Sequence, residues 1–279
     1  MSLRRMIRGV ARRLAMLPLQ ALDSHTRAEA LDALSNREIA VGDAGGARLR
    51  FYAPSPLLQS RANTVLTKEP DTIAWLNTLQ PDDVFWDIGA NVGVFTLYAA
   101  MTRSCQVVAF EASAPNFFVL TRNVQLNGLS DRITPYGLAV AERTQLGTIN
   151  LDSAELGAAM SQFGPAGVKS RYSSAAVPLM HGVAAVTIDD LVQRFQAPRP
   201  TAIKIDVDGL EWPILRGGEQ TLVHPGVRSV MVELSLTRDA ERNQAIQWLR
   251  GRGLTLASTG APQGSGGEQA ANHLFVRRQ

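Results

Sequence analysis

Two stretches of the chain gather acidic side chains where an apolar run gives way to glycine. The first, DVFWDIGANVGVF (residues 83–95), reads as a buried strand ending at Asp87, a tight turn holding Gly89 and Gly93, and the apolar start of a helix. Glycine lets a backbone approach a ligand closely because no Cβ intervenes, and the free N–H groups opening the next helix attract a carboxylate or phosphate. A second strand ends in Phe110-Glu111. Glu111 follows the turn at roughly the 20-residue spacing from which an acid accepts both hydroxyl protons of a ribose. The turn reads Gly89-Ala90-Asn91-Val92-Gly93, so the dinucleotide fingerprint GxGxxG is not present. Asp87 would repel a pyrophosphate, whereas it suits the ammonium and the sulfonium of S-adenosylmethionine. That favours S-adenosylmethionine over NAD. The structural alternative is that Asp87 caps the turn and Glu111 is a solvated strand-end acid.

The second stretch is AIKIDVDGLEW, a strand ending in Asp206 with Asp208, Gly209 and Glu211 in the turn after it. Methyl transfer from a sulfonium is an in-line displacement that needs alignment and a base for the acceptor's proton. Asp206 or Asp208 can take that proton and Glu211 can orient the acceptor, provided burial or mutual repulsion raises one of their pKa values. The competing explanation is helix-start chemistry, acids at an N-terminus with Trp212 and Pro213 in the first turn. A third option places Mg²⁺ on Asp206 and Glu233, at neighbouring strand ends, to lower the hydroxyl pKa. His181 is a candidate base that reads equally as a surface histidine. Lys169, Arg171 and Tyr172 suit an anionic acceptor or, more simply, form a solvated basic loop.

The elements that must hold these residues are short β-rich runs, VFWDI, VVAF, ITPYGLAV, AIKIDV and SVMVEL, separated by helical segments. That alternation predicts an α/β, doubly wound, mostly parallel sheet. Ligands gather at the carboxyl ends of such strands, where the acids stand. Residues 1–67 read as an appendage, with a hairpin-like segment around Gly42 to Tyr52, and a helix follows near Asp71 to Leu79. The stretch from Asp152 to Gly182 is rich in Ala, Gly, Ser and Pro with little periodicity and is read as a substrate loop. Thr187, with Asp190 three positions on, predicts a capping box that opens the helix DDLVQRF.

The blocks FWDIGANVGVFTLYAA, VVAFEASAPNFFVLTRNVQLNGL, VTIDDL, IKIDVDGLE and VMVEL, in this order from about Lys68 to Glu233, resemble the FkbM-type methyltransferases. The resemblance implies a class I methyltransferase (Rossmann-like) fold with a seven-stranded sheet over residues 68–279. It implies that Asp87, Gly89, Asn91 and Gly93 line the methionine end of the donor, that Glu111 binds the ribose, and that the backbone around Ala139 borders the adenine. It carries Asp206, Gly209 and Glu211 onto matching positions. Asp208 stands where that family often has Glu, and Ala112 where it often has Pro, with Pro115 later. The acceptors it implies are sugar hydroxyls of polysaccharides or natural-product glycosides.

Composition narrows the classes. The 279 residues can bury one substantial core, and a single cysteine, Cys105, argues against a disulfide scaffold and for the cytoplasm. The four histidines and that cysteine offer no zinc-type spacing. A net charge of +3, and Asp206-Val207-Asp208-Gly209 where base N-methylating sites commonly carry an Asn/Asp-Pro-Pro-aromatic turn, argue against a nucleic-acid partner. Arg4, Arg5, Arg8, Arg12 and Arg13 interleave with Leu3, Met6, Ile7, Val10, Leu14 and Leu17 as a basic amphipathic helix. Such a helix packs on the domain or on a glycan-assembly partner, or lies on the inner face of a membrane. It reads neither as a signal peptide nor as a membrane span. A dinucleotide oxidoreductase and a non-catalytic binding protein on the same fold are the competing functions.

Overall fold

The computed structural model describes residues 18, 20–35, 38–44, 46–164, 179–264 and 269–278. The expected basic amphipathic helix of residues 1–17 lies outside them. In chain order the elements are α1 (Ser24–Ser35), β1 (Glu38–Asp43), β2 (Arg48–Tyr52), α2 (Pro56–Asn63), α3 (Pro70–Leu76), β3 (Val84–Ile88), α4 (Val94–Arg103), β4 (Gln106–Phe110) and α5 (Ala114–Leu126). There follow β5 (Ile133–Tyr136), β6 (Ala139–Val140), β7 (Gln145–Leu151), β8 (Gln162–Gly164), β9 (Leu179–Val186), α6 (Ile188–Gln193) and β10 (Ala202–Ile205). The last are α7 (Glu211–Arg216), α8 (Glu219–Val223), β11 (Ser229–Ser235), α9 (Asp239–Arg250), β12 (Leu254–Thr259) and β13 (Ala270–Arg277).

The main sheet has seven strands in the order β12-β13-β11-β10-β3-β4-β5. All pairings from β11 to β5 are parallel, and β13 runs against both of its neighbours. This is the doubly wound order with one reversed strand inserted near the end, the class I methyltransferase arrangement that the sequence implies. From β3 the chain winds outward through β4 and β5, then returns to β10 on the other side. The strand order therefore reverses between β3 and β10, and a crevice opens at their carboxyl ends.

Alternation at period two divides the sheet into two faces. Phe85, Val107, Ala109, Ala202 and Met231 share a core with residues of α3, α4 and α5. Trp86, Val108, Ile203, Ile205, Val230 and Val232 share the other core with residues of α6, α7, α8 and α9. Among the described residues no helix is long and apolar enough to cross a membrane.

Part of the segment read as appendage is bound tightly to this body. Leu49, Phe51, Ala62 and Val65 join the first core. The Asn123 carboxamide bridges the two parts, accepting from the Tyr52 N–H at 2.7 Å and donating to the Val92 carbonyl at 2.8 Å. The hairpin is longer than its sequence suggests, beginning at Glu38.

Two expectations need correction. ITPYGLAV is not one strand: β5 ends at Tyr136 on the main sheet, and β6 pairs with β9 in a second sheet of order β6-β9-β7-β8. Pro135 lacks an N–H, which suits β5 to the sheet edge where it lies. The stretch 152–182 is not wholly loop, since Gln162–Gly164 and the first residues of β9 pair with β7. Residues 165–178 fall outside the described set. Gly182, Ala184 and Ala185 of β9 mask the alternation that otherwise marks a strand. Half of the expected capping box forms: the Thr187 hydroxyl accepts from the Asp190 N–H at 2.9 Å, but the Thr187 N–H donates to the Thr144 hydroxyl at 3.2 Å rather than to the Asp190 carboxylate.

Candidate active site

The crevice is a cavity of about 530 Å³ that runs along the carboxyl ends of the strands. Gly89, Asn91, Glu111 and Ala139 line it, as do Asp206, Asp208, Glu211 and Glu233. Because β4 and β5 lie at one side of the sheet and the β12–β13 hairpin at the other, these residues have a fixed order. Glu111 and an apolar wall of Phe110, Leu138, Val140, Ile149, Phe163 and Ile214 belong to one end. Arg238, Gln263, Gly264, Gln269 and Ala270 belong to the other, and Ser60 of α2 with Thr64 just after it also line the cavity. The acids of the β10 turn stand between them.

The glycine turn is sterically required. Gly89 has φ 85°, and a Cβ there would lie 1.9 Å from the Asp206 carbonyl oxygen. Gly93, at φ 84°, would bring a Cβ to 2.5 Å from Leu120 Cδ1. A side chain at Gly89 would displace the Asp206 backbone, whereas at Gly93 the Leu120 side chain could yield and the left-handed backbone is what favours glycine. Glu111 closes the turn from the next strand: its Oε2 accepts from the Asn91 N–H at 2.8 Å and its Oε1 from the Ser113 N–H at 2.7 Å. Each oxygen keeps a lone pair for a ligand hydroxyl. Burial pushes the Glu111 carboxyl up to about 7, against the pull of those two N–H groups.

A strap from the segment after β7 crosses this turn. The Ala158 carbonyl accepts from the side-chain amides of Asn91 at 2.9 Å and Asn116 at 2.8 Å. Arg61 donates twice to the Gly157 carbonyl, at 3.2 and 2.9 Å, and the Met160 N–H donates to Asp208 Oδ2 at 2.6 Å. The front of the expected substrate loop is therefore an ordered wall of the cavity.

The three acids after β10 are not equivalent. Asp208, in the left-handed region at φ 58°, has its carboxyl raised to about 6 by burial and by the charge of Asp206. Glu211 Oε1 accepts from the N–H groups of Val207 at 3.2 Å and Gly209 at 2.9 Å, so this carboxyl shapes the turn. Burial raises it to about 7. Asp206, 24% exposed, accepts from Lys204 Nζ at 2.6 Å. Burial alone would raise Asp206, but the ammonium outweighs it and holds the carboxylate below its ordinary value. Glu233 is raised, first by the charge of Asp206 and then by burial.

Asp87 and Gly93 do not line the cavity. Asp87 is buried beneath the turn, accepting from the Thr96 hydroxyl at 2.6 Å, and burial raises its pKa against the opposing charge of Lys204. The reason is the strand's alternation, which turns Asp87 toward α4 before the chain reaches the crevice. His181 also lies off the cavity; its Nε2 accepts from the Ala114 N–H at 3.1 Å and so serves the first turn of α5. Lys169, Arg171 and Tyr172 fall outside the described residues. The described residues contain no group of three or more His, Cys, Asp or Glu side chains able to hold a metal ion, and the ammonium of Lys204 occupies Asp206. That pairing does not suit Mg²⁺ on Asp206 and Glu233.

Lys204, Glu69, Arg61 and Asn116 were not singled out from sequence. Lys204 did leave a signal, a lysine inside the run Ala202-Ile203-Lys204-Ile205 that is buried at every position. The other three reach the site only through tertiary packing.

The model of the methyltransferase FkbM domain matches residues 87–254. The hexuronic acid methyltransferase AglP of Haloferax volcanii is 29% identical over 170 residues, covering 61% of this chain and 63% of AglP. The 31-O-demethyl-FK506 methyltransferase FkbM of Streptomyces tacrolimicus is 25% identical over 212 residues, covering 68% of this chain and 79% of that protein. A solved methyltransferase FkbM from Methylobacillus flagellatus aligns over 89% of this chain and 59% of its own, at 15% identity and a TM-score of 0.48. The chain thus spans less than two thirds of AglP and of that structure. With the domain model covering more than half of its length, the chain belongs to the FkbM methyltransferase domain family.

Proposed function

We propose that the protein transfers a methyl group from S-adenosylmethionine to a hydroxyl of a sugar, polysaccharide or natural-product glycoside. The observation that carries this reading is the single cavity joining Glu111 to Asp206 and Asp208 and then to a hydroxyl- and amide-bearing end. Glu111 suits a ribose, the apolar wall with Ala139 suits an adenine, and Gly89 and Asn91 suit the methionine portion of the donor. Bound there, the donor supplies an electrophilic methyl on a sulfonium.

The chain's own residues do the rest. Asp208, raised toward neutrality and lining the cavity, accepts the acceptor's hydroxyl proton as the C–O bond forms, since a base works best with its pKa near the working pH. Asp206 places an ionised carboxylate beside it, and Glu211 holds the backbone between them. Ser60, Thr64, Gln263 and Gln269 offer donors and acceptors suited to a polyhydroxylated ligand. Of the relatives, one is named for a hexuronic acid, in accord with a sugar acceptor, and the other for 31-O-demethyl-FK506, in accord with O-methylation.

The test is calorimetric titration with S-adenosylhomocysteine and, in parallel, NAD. Binding of the nucleoside alone at about micromolar Kd supports the reading, while binding of NAD alone replaces it with a dinucleotide oxidoreductase and silence in both leaves a non-catalytic protein. In a screen of glycan acceptors, Asp208→Asn should lose about 10²–10⁴-fold in rate while binding S-adenosylhomocysteine normally.

A further inference from the structure

Lys204 is 2% exposed in the middle of a central parallel strand, where an uncompensated ammonium costs several kcal/mol. The residues around it offset that cost in an ordered way. Its Nζ lies 2.6 Å from Asp206 Oδ2, 3.8 Å from Glu69 Oε2 and 5.0 Å from the centre of the Phe95 ring. Asp87 is its register neighbour on β3. Glu69 is fixed from three sides: Oε2 accepts from the Thr72 hydroxyl at 3.0 Å and the Asn272 amide at 3.1 Å, and Oε1 from Lys68 Nζ at 3.3 Å. One end of the Glu69–Lys204–Asp206 chain is thus buried and rigid, and the other opens on the cavity.

We propose that Lys204 is a positioning residue whose ammonium, clamped against Glu69, holds Asp206 ionised and in one orientation at the point where the methyl passes to the acceptor. The proposal rests on the methyltransferase reading for its purpose. Asp206 has carboxyls near it on both neighbouring strands and in its own turn, Asp87 on β3, Glu233 on β11, Asp208 and Glu211, with Lys68 and Arg61 as the other cations near it. Without Lys204 this crowd of like charges would share protons, and Asp206, the most central, would take one. With it, Asp206 is held low while its charge, together with burial, pushes Glu233 up, and the crevice keeps a carboxylate beside Asp208.

The experiment uses the full chain labelled with ¹³C at the aspartate γ-carbons, titrated by NMR with S-adenosylhomocysteine present and absent; the resonance lost in Asp206→Asn identifies Asp206. In the wild type that resonance should stay at its ionised position from about pH 5 to 8, whereas in Lys204→Met it should titrate inside that window. Affinity for S-adenosylhomocysteine should change by less than about threefold in Lys204→Met, because Lys204 does not line the cavity. Titration of Asp206 in the wild type, or an Asp206 equally pinned in Lys204→Met, overturns the proposal. If Lys204→Met does not fold, a through-hydrogen-bond correlation between a lysine ¹⁵Nζ and the Asp206 carboxyl carbon in the wild type decides, and its absence overturns the proposal. A wild type that binds no S-adenosylhomocysteine yet keeps Asp206 pinned sinks the methyltransferase reading and leaves the ion pair standing.

Discussion

The two faces of the main sheet are built on different rules. On the face covered by α6 to α9, Trp86, Ile88, Val108, Phe110, Ile203, Ile205, Val230 and Val232 are all apolar and at most 2% exposed. On the face covered by α3, α4 and α5, Phe85, Val107, Ala202 and Met231 give way, toward the carboxyl ends of the strands, to Asp87, Lys204 and Glu233. One face is close-packed hydrocarbon that contributes stability through area removed from water. The other gives up part of that contribution to hold ionisable groups in fixed relation at the ligand end. The contrast separates what the fold needs from what the chemistry needs within four adjacent strands.

That separation can be broken experimentally. The largest effect should come from moving a lysine to the apolar face: Ile203→Lys, between Trp86 and Val230, buries a charge with no partner and should cost more than about 4 kcal/mol. A cooperative thermal melt near the wild-type temperature would show that this face tolerates charge after all. Next, Glu111→Ala should weaken S-adenosylhomocysteine binding by about 10- to 100-fold in calorimetry, the worth of hydrogen bonds to one charged group. Unchanged affinity would refute its assignment to the ribose.

The smallest effect is a slope with pH. Asp208, Glu111 and Glu211 have folded-state values of about 6, 7 and 7, above their ordinary ones. The folded protein therefore binds more protons than the unfolded chain over about pH 4.5 to 7, and stability falls as pH rises through that window. Asp206 and Lys204 do not change charge there. Differential scanning calorimetry should show the ligand-free Tm declining from pH 5 to 7.5; a Tm rising with pH would mean these carboxyls are ionised and well solvated.

How much of this could be read from the sequence depended on distance along the chain. The glycine turn, the acid at the end of β4, the acids after β10 and the Thr187 cap are local patterns, and each stands where its spacing placed it. Asp87 shows the limit of that logic. Its position at a strand end suggested ligand contact, but the alternation that makes VFWDI a strand also turns this residue away from the crevice. Glu69, Arg61 and the strap at Gly157 and Ala158 come from segments far apart in sequence, so only packing brings them together. β9 was hidden by its own small side chains, which leave little contrast between its two faces.

The placement of β13 has a consequence for how the molecule is assembled. It lies between β11 and β12, although β12 is made first. Its ladder with β11 runs from Ser229↔Val276 to Ser235↔Ala270, and it brings Asn272 onto Glu69. Until that strand threads into place, β11 is an open edge, β12 has no partner, and the anchor of the Lys204 chain lacks one of its donors. β12 and β13 pair as a hairpin that joins β11 through its second strand, so the outer end of the sheet closes over shorter stretches of sequence than its centre, where β3 pairs with β10. A nascent chain that has made β12 but not β13 still presents β11 as an open edge, a window in which self-association competes with folding.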